Sequence, residues 1–264
     1  MEPPCKIAVV GMACRFPGGA SSPEAFWDLL ASAKDAVIPV PEDRWDVRRF
    51  LATKHPCPPG KTFLKEGGFL TERILDFDPE FFSISPREAE ALDPQQRLLL
   101  EVSYEALVDA GFQMERLTRR PVGVFVGGFT LDNMGFRTRK ESRPSIESTD
   151  AMSFSMTLLA NRLSHFYDWT GPSMAIDTAC SSSLVAIHEA CRSLQNEECE
   201  MALAGGVNVI LGPDSSTAMS RGGFLSPRCR SRAFDRSADG YARGEGAGLI
   251  LLKPLRRAQE DRDL

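Results

Sequence analysis

Apolar positions along the chain change period several times, and each change marks an element. Lys6-Ile-Ala-Val-Val-Gly-Met12 is a short apolar run that reads as a strand buried on both faces. Ser22 and Pro23 supply a cap and a first-turn proline for a helix over Ala25–Leu30, with Phe26, Leu29, Leu30 and Ala33 on one side. Asp93-Pro-Gln-Gln96 opens the clearest helix. Asp93 caps it, Pro94 suits its first turn and Gln96 completes a capping box. Leu99, Val102, Ala106 and Ala110 keep helical spacing, and Gly111 ends it. Val122–Gly127 reads as a second buried strand. Residues 151–167 read as a helix, with Met152, Met156, Leu159 and Leu163 in register.

Strand, turn and helix then follow in quick succession. Met174–Asp177 is a short strand, and Leu184, Ile187, Cys191 and Leu194 define one face of the next helix. Met201–Ile210 and Gly248–Leu252 are further strands. Strands alternating with helices predict an α/β class with a mainly parallel sheet, in one domain over residues 1–264. Residues 36–90 break the pattern. Pro39, Pro41, Pro56, Pro58, Pro59 and Gly60 interrupt regular structure. Trp45, Phe50, Phe63, Phe69, Phe77, Phe81 and Phe82 nonetheless make this excursion too aromatic to stay solvated.

Composition narrows the functional classes. A net charge of −5 with no dense basic stripe argues against nucleic acid as a partner. No apolar run approaches the ~20 residues of a membrane helix, and Met1–Lys6 lacks signal-peptide features, so a soluble, cytoplasmic protein is expected. The 7 cysteines are odd in number and irregularly spaced. No C-x-x-C pair is present, so reduced thiols are expected and no metal site is implied. No phosphate-loop motif implies a nucleotide cofactor.

One cysteine stands apart. Cys180 falls where an apolar strand gives way to an apolar-faced helix, and Ser181, Ser182 and Ser183 follow it. Small residues let a substrate reach the first turn and leave backbone N–H groups free to face an oxyanion. A helix start also favours thiolate over thiol, which is the logic of a nucleophile elbow with sulfur as nucleophile. A buried, inert thiol is the competing reading, and it is the expected one for Cys191 and Cys199.

Asp177-Thr-Ala-Cys-Ser-Ser-Ser-Leu-Val-Ala186 resembles the active-site segment of β-ketoacyl synthases, in the form found in modular type I polyketide synthases. Further segments follow in family order. They are Ile7–Gly18, Phe26-Trp27 with Arg44-Trp45, Leu92–Glu101, Gly205–Asn208, Phe224–Pro227, Phe234-Asp235 and Asp239–Gly246. The resemblance covers roughly residues 6–256. It implies a thiolase-like fold, of which this chain is the N-terminal repeat of the layered α-β-α-β-α architecture. It implies a homodimer in the full-length parent, with strands near the nucleophile pairing across the two-fold.

The resemblance also implies two half-reactions of polyketide or fatty acid biosynthesis. Cys180 takes an acyl group from the phosphopantetheine arm of an acyl carrier protein. A malonyl-type extender then loses CO2 and attacks that thioester in a decarboxylative Claisen condensation. No cofactor is bound directly. Glu245 matches the family's acidic residue behind the active site, where it would orient a lysine and a histidine; a surface-turn glutamate is the alternative. Ser181 would support the nucleophile. Asp177 is expected to be a structural acceptor at the strand end, and Asn208 a sheet-edge feature.

The family's two catalytic histidines lie downstream of the cysteine, in segments this chain lacks. His55, His165 and His188 lie in no such segment. The chain alone is therefore expected not to condense. Two other readings stand beside this one: a non-catalytic ketosynthase fragment, and a thiolase- or chalcone-synthase-like enzyme that uses coenzyme A.

Overall fold

The computed structural model describes residues 5–263. In chain order its elements are β1 (Ile7–Arg15), α1 (Pro23–Ala31), β2 (Ile38–Pro39), β3 (Glu66–Gly67), α2 (Pro86–Ala91), α3 (Pro94–Asp109) and β4 (Val122–Gly127). Next come α4 (Asp132–Arg137), α5 (Leu158–Tyr167), β5 (Ser173–Ile176), α6 (Ser182–Gln195), β6 (Met201–Asn208), α7 (Asp214–Arg221), β7 (Gly246–Pro254) and α8 (Leu255–Asp261).

The main sheet has the order β1-β7-β6-β4-β5. β4 runs parallel to both β5 and β6, whereas β7 is antiparallel to β6 and β1 to β7. The sheet is therefore mixed, not mainly parallel. The antiparallel half comes from the two ends of the chain, which pairs Ile7 with Pro254. Sequence alternation carries no record of strand direction, so it does not disclose this pairing.

Alternate residues of each strand feed two cores. Val122, Val124 and Val126 of β4, Leu203 of β6, and Leu249 and Leu251 of β7 pack with Leu99, Val102 and Ala106 of α3 and with Leu159 and Leu163 of α5. On the other face Phe125, Ala202, Ala204 and Leu252 pack with Ala186, Ala190 and Leu194 of α6. The result is one α-β-α unit, with period-2 strands sandwiched between period-3.6 helices. A third cluster, Val40, Leu64, Phe69 and Ile210 with Trp45 and Val47 against it, anchors the irregular excursion. Phe69 is fully buried, as the aromatic content of that stretch predicts.

Four local expectations change. β1 is an edge strand rather than one buried on both faces, and it leaves Val9 and Met12 exposed. α1 is capped by Ser22, whose side chain accepts from Ala25 N–H, but it has no buried residue, and Ala33 lies past its end at φ +50°. The helix expected from residue 151 begins at Leu158, after a short 3-10 turn over Ser148–Met152. Polar contacts hold the intervening chain out of the helix: Asp150 caps that turn through Glu147 N–H and pairs with Arg137, and Ser153 donates to the Ala91 carbonyl.

The fourth lies at α3. Asp93 accepts from Gln95 N–H at 2.8 Å, but Gln96 turns away from the capping box. Its Nε2 donates to the Met152 carbonyl at 2.9 Å. Gly111, at φ +72°, closes the helix in the left-handed conformation, and Phe112 N–H returns to the Leu107 carbonyl at 2.9 Å.

Candidate active site

β5 ends at Ile176, and a tight elbow leads into α6. Asp177 Oδ1 accepts from Ala179 N–H at 2.9 Å, the structural role expected of it. Ala179 sits at φ +57°, a left-handed conformation that costs a side-chain-bearing residue about 1 kcal/mol. Ser182 braces the bend from below, accepting from Thr178 N–H at 2.9 Å and donating to the Ala179 carbonyl at 2.7 Å. Cys180 rides this elbow with its residue exposed, at the positive end of a 14-residue helix.

The elbow rests directly on the sheet. A Cβ at Gly127 would stand 2.5 Å from Ser183 N, and one at Gly206 would stand 2.9 Å from the Ser183 Cβ. Glycine at the ends of β4 and β6 is thus what lets α6 start so close to the strands. The rest of α6 follows suit with small residues at the contact: Ser182, Ala186, Ala190 and Ser193 are buried. Leu184, expected on that face, is 70% exposed instead. The close approach selects small side chains, and the leucine falls to the side.

A cavity of about 420 Å³ opens at Cys180. Its walls include Phe16, Gly127, Phe129, Ser182, Ser183, Asn208, Arg243 and Glu245. Cys180 and Glu245, 65 positions apart in sequence, thus meet at one site. Ser181 is not in the wall. It is exposed, and its hydroxyl stays on the elbow, donating to the Thr178 carbonyl at 3.0 Å.

Glu245 is no surface-turn glutamate: its side chain is fully buried. Oε1 accepts from Arg44 Nη2 and Leu70 N–H, each at 2.9 Å, and Oε2 from Arg44 Nη1 at 3.1 Å and Ile210 N–H at 2.9 Å. Its four acceptor positions are filled, none of them by lysine or histidine. Arg44 is visible in the sequence only as part of a motif; nothing there joins it to a glutamate so far along the chain. Asn208 Nδ2 donates to the Gly244 carbonyl at 2.9 Å, and its Oδ1 is buried without a partner among the described residues.

None of the three histidines lines this cavity. His55 stacks on Phe63, and His188 is exposed on α6. Cys199 is buried and Cys191 half-buried, and burial pushes both thiols up, as inert packing cysteines. Among the described residues no group of three or more His, Cys, Asp or Glu could hold a metal ion, and no helix is long and apolar enough to cross a membrane.

The β-ketoacyl synthase N-terminal domain model matches residues 5–258. A phenolphthiocerol/phthiocerol polyketide synthase of Mycobacterium tuberculosis is 48% identical over 97% of the chain. A partially reducing polyketide synthase of Talaromyces stipitatus is 46% identical over 97% of it. The chain spans only 12% and 10% of those two proteins. The oxazolomycin ketosynthase domain of Streptomyces albus superposes with a TM-score of 0.91 at 42% identity, over 98% of this chain and 45% of that one. A ketosynthase from the bacillaene synthase of Bacillus subtilis does so with a TM-score of 0.84 at 40% identity, over 98% and 41%. The fold is therefore the thiolase-like fold of ketosynthase domains.

Proposed function

Since the chain belongs to the β-ketoacyl synthase N-terminal domain family, we propose that Cys180 is the acyl-accepting nucleophile of a polyketide-synthase ketosynthase. The observation that carries this reading is the elbow. It holds Cys180 exposed at a helix start, over a cavity, through a left-handed Ala179 and the Ser182 brace. A helix start aims backbone N–H groups toward the acyl oxygen.

The Cys180 thiolate attacks the thioester carbonyl of a phosphopantetheine arm on an acyl carrier protein. The carbonyl electrons move onto oxygen and return as the C–S bond to the arm breaks. The acyl group stays on Cys180, and the arm leaves as a thiol. In the second half-reaction a malonyl-type extender loses CO2, and the electron pair left behind attacks the Cys180 thioester. The new C–C bond expels the cysteine sulfur.

Proton handling around the extender needs groups beyond this cavity's walls, because no histidine lines it. This chain's own residues thus support the acylation half-reaction. Among the described residues β5 ends the sheet with one side unpaired and leaves Met174 exposed, which supports homodimer formation through that edge. Glu245 acts by position: together with Arg44 it ties the β7 wall of the cavity to Leu70 and Ile210.

Transfer from radiolabelled acyl-carrier protein tests the reading. Label should pass to wild type and not to Cys180→Ala. Labelling from acyl-coenzyme A but never from a carrier protein would favour a coenzyme A-dependent condensing enzyme.

A further inference from the structure

The Cys180 cavity carries one guanidinium whose hydrogen-bond donors are left unfilled among the described residues. Only two of its lining residues are charged, Arg243 and Glu245. The Glu245 carboxylate is consumed by Arg44 and two backbone N–H groups. Arg243 is different. It is only 8% exposed, and neither its Nε nor its Nη2 has a hydrogen-bond partner among the described residues. Asp132 feels the Arg243 charge, but its Oδ2 accepts from Leu211 and Gly212 N–H, at 3.0 and 3.3 Å. A buried guanidinium with idle donors is costly unless an anion completes it. The positive end of α6 adds to the same field.

We propose that Arg243 is the carboxylate-binding residue of the Cys180 cavity, selecting a thioester partner that bears a free carboxylate. The planar fork of arginine matches a carboxylate with two N–H donors. The inference rests on the reading of Cys180 above, in which the extender is a malonyl-type thioester and therefore carries such a group. Arg243 would hold that carboxylate before CO2 departs. It would also favour carboxylated extenders over the uncarboxylated acyl groups that load onto Cys180.

Paired alkylating reagents of near-equal shape test this on the full chain. N-ethylmaleimide is neutral and 3-maleimidopropionate carries a carboxylate; both rates are read at the Cys180 peptide by mass spectrometry. Their ratio cancels the intrinsic reactivity of the thiol. Relative to glutathione, wild type should favour the anionic reagent about tenfold, the order expected for one opposite charge within a partly shielded cavity. Arg243→Gln should return the ratio to that of glutathione, and Arg243→Lys should keep most of the preference.

Malonate should also slow N-ethylmaleimide at Cys180 in wild type, while uncharged malonamide should not. That comparison decides the matter if Arg243→Gln does not fold. An equal ratio in wild type and Arg243→Gln, or equal protection by malonate and malonamide, overturns the proposal. A folded chain whose Cys180 reacts with neither reagent overturns the nucleophile reading, and this proposal with it.

Discussion

Arg44 closes on Glu245 with both terminal guanidinium nitrogens, at 3.1 and 2.9 Å, and the two side chains are 4% and 0% exposed. Arg44 Nη1 also donates to the Ile210 carbonyl at 2.9 Å. The pair therefore joins the irregular excursion to the sheet and to the wall of the cavity. Breaking one side of a buried pair leaves the other charge unmatched, at a cost of about 3–5 kcal/mol. Glu245→Gln should lose stability of that order in urea unfolding. The Arg44→Met, Glu245→Gln double variant should lose less than the two singles together. Additive losses would show that the pair is not coupled.

Gly127→Ala should damage the site without touching its chemistry. The new Cβ would meet Ser183 N at 2.5 Å and Ser183 Cα at 2.8 Å, backbone atoms that cannot swing away. Overpacking of this kind costs roughly 1–3 kcal/mol, and here it lifts the start of α6 from the sheet. A fall in the alkylation rate of Cys180, with Cys5 as an exposed internal reference, is the expected outcome. An unchanged rate at Cys180 would mean the elbow does not depend on that contact.

Ser182→Ala removes the brace beneath Cys180. The Thr178 N–H, now at 2.9 Å from Ser182 Oγ, would lose its partner. Thr178 is exposed, so water takes part of that bond's place, and the loss should be the net worth of one hydrogen bond, about 0.5–1.5 kcal/mol. Thermal unfolding should show the loss, and acylation of Cys180 should slow. Stability and rate matching wild type would mean the elbow is held by Asp177 and the sheet contact alone.

Burial gives the fold a pH signature. It pushes the Asp93 carboxyl from its ordinary 3.8 up to about 6, against the Gln95 N–H that favours the charged form. The native chain therefore keeps this proton to higher pH than the unfolded chain does. The stability it contributes is fully present below pH ~4 and is lost as pH rises through about 6. Glu101, also raised to about 6 by burial, acts in the same direction. Asn caps helices as well as Asp does and cannot ionise. Between pH 4 and 7, Asp93→Asn should gain on wild type by an amount on the order of 2 kcal/mol. Parallel stability curves for the two proteins over that range would rule this out.

Local sequence carries the elbow well. The Asp177 acceptor, the small residues after Cys180 and the Gly111 helix stop are all determined by neighbours within a few positions, and all stand where local chemistry places them. What cannot be read depends on distance along the chain. Arg44 and Glu245 are 201 positions apart, and Ile7 pairs with Pro254 in an antiparallel register that alternation alone cannot reveal. Leu184 departs from its expected face for a related reason. Helical spacing defines a face, but only the glycine bed at Gly127 and Gly206 shows that the face against the sheet must be the one with small side chains.

Everything proposed for the cavity depends on Cys180 taking an acyl group, and site-mapped acylation is the decisive measurement. The folded chain is incubated with an acyl thioester of N-acetylcysteamine, a short mimic of the phosphopantetheine arm, and digested for mass spectrometry. Acyl mass should appear on the Cys180 peptide, with little on the buried Cys14, Cys199 and Cys229, and none at that position in Cys180→Ala. No acyl mass at Cys180 in a folded sample, or equal total labelling of Cys180→Ala, would refute the assignment.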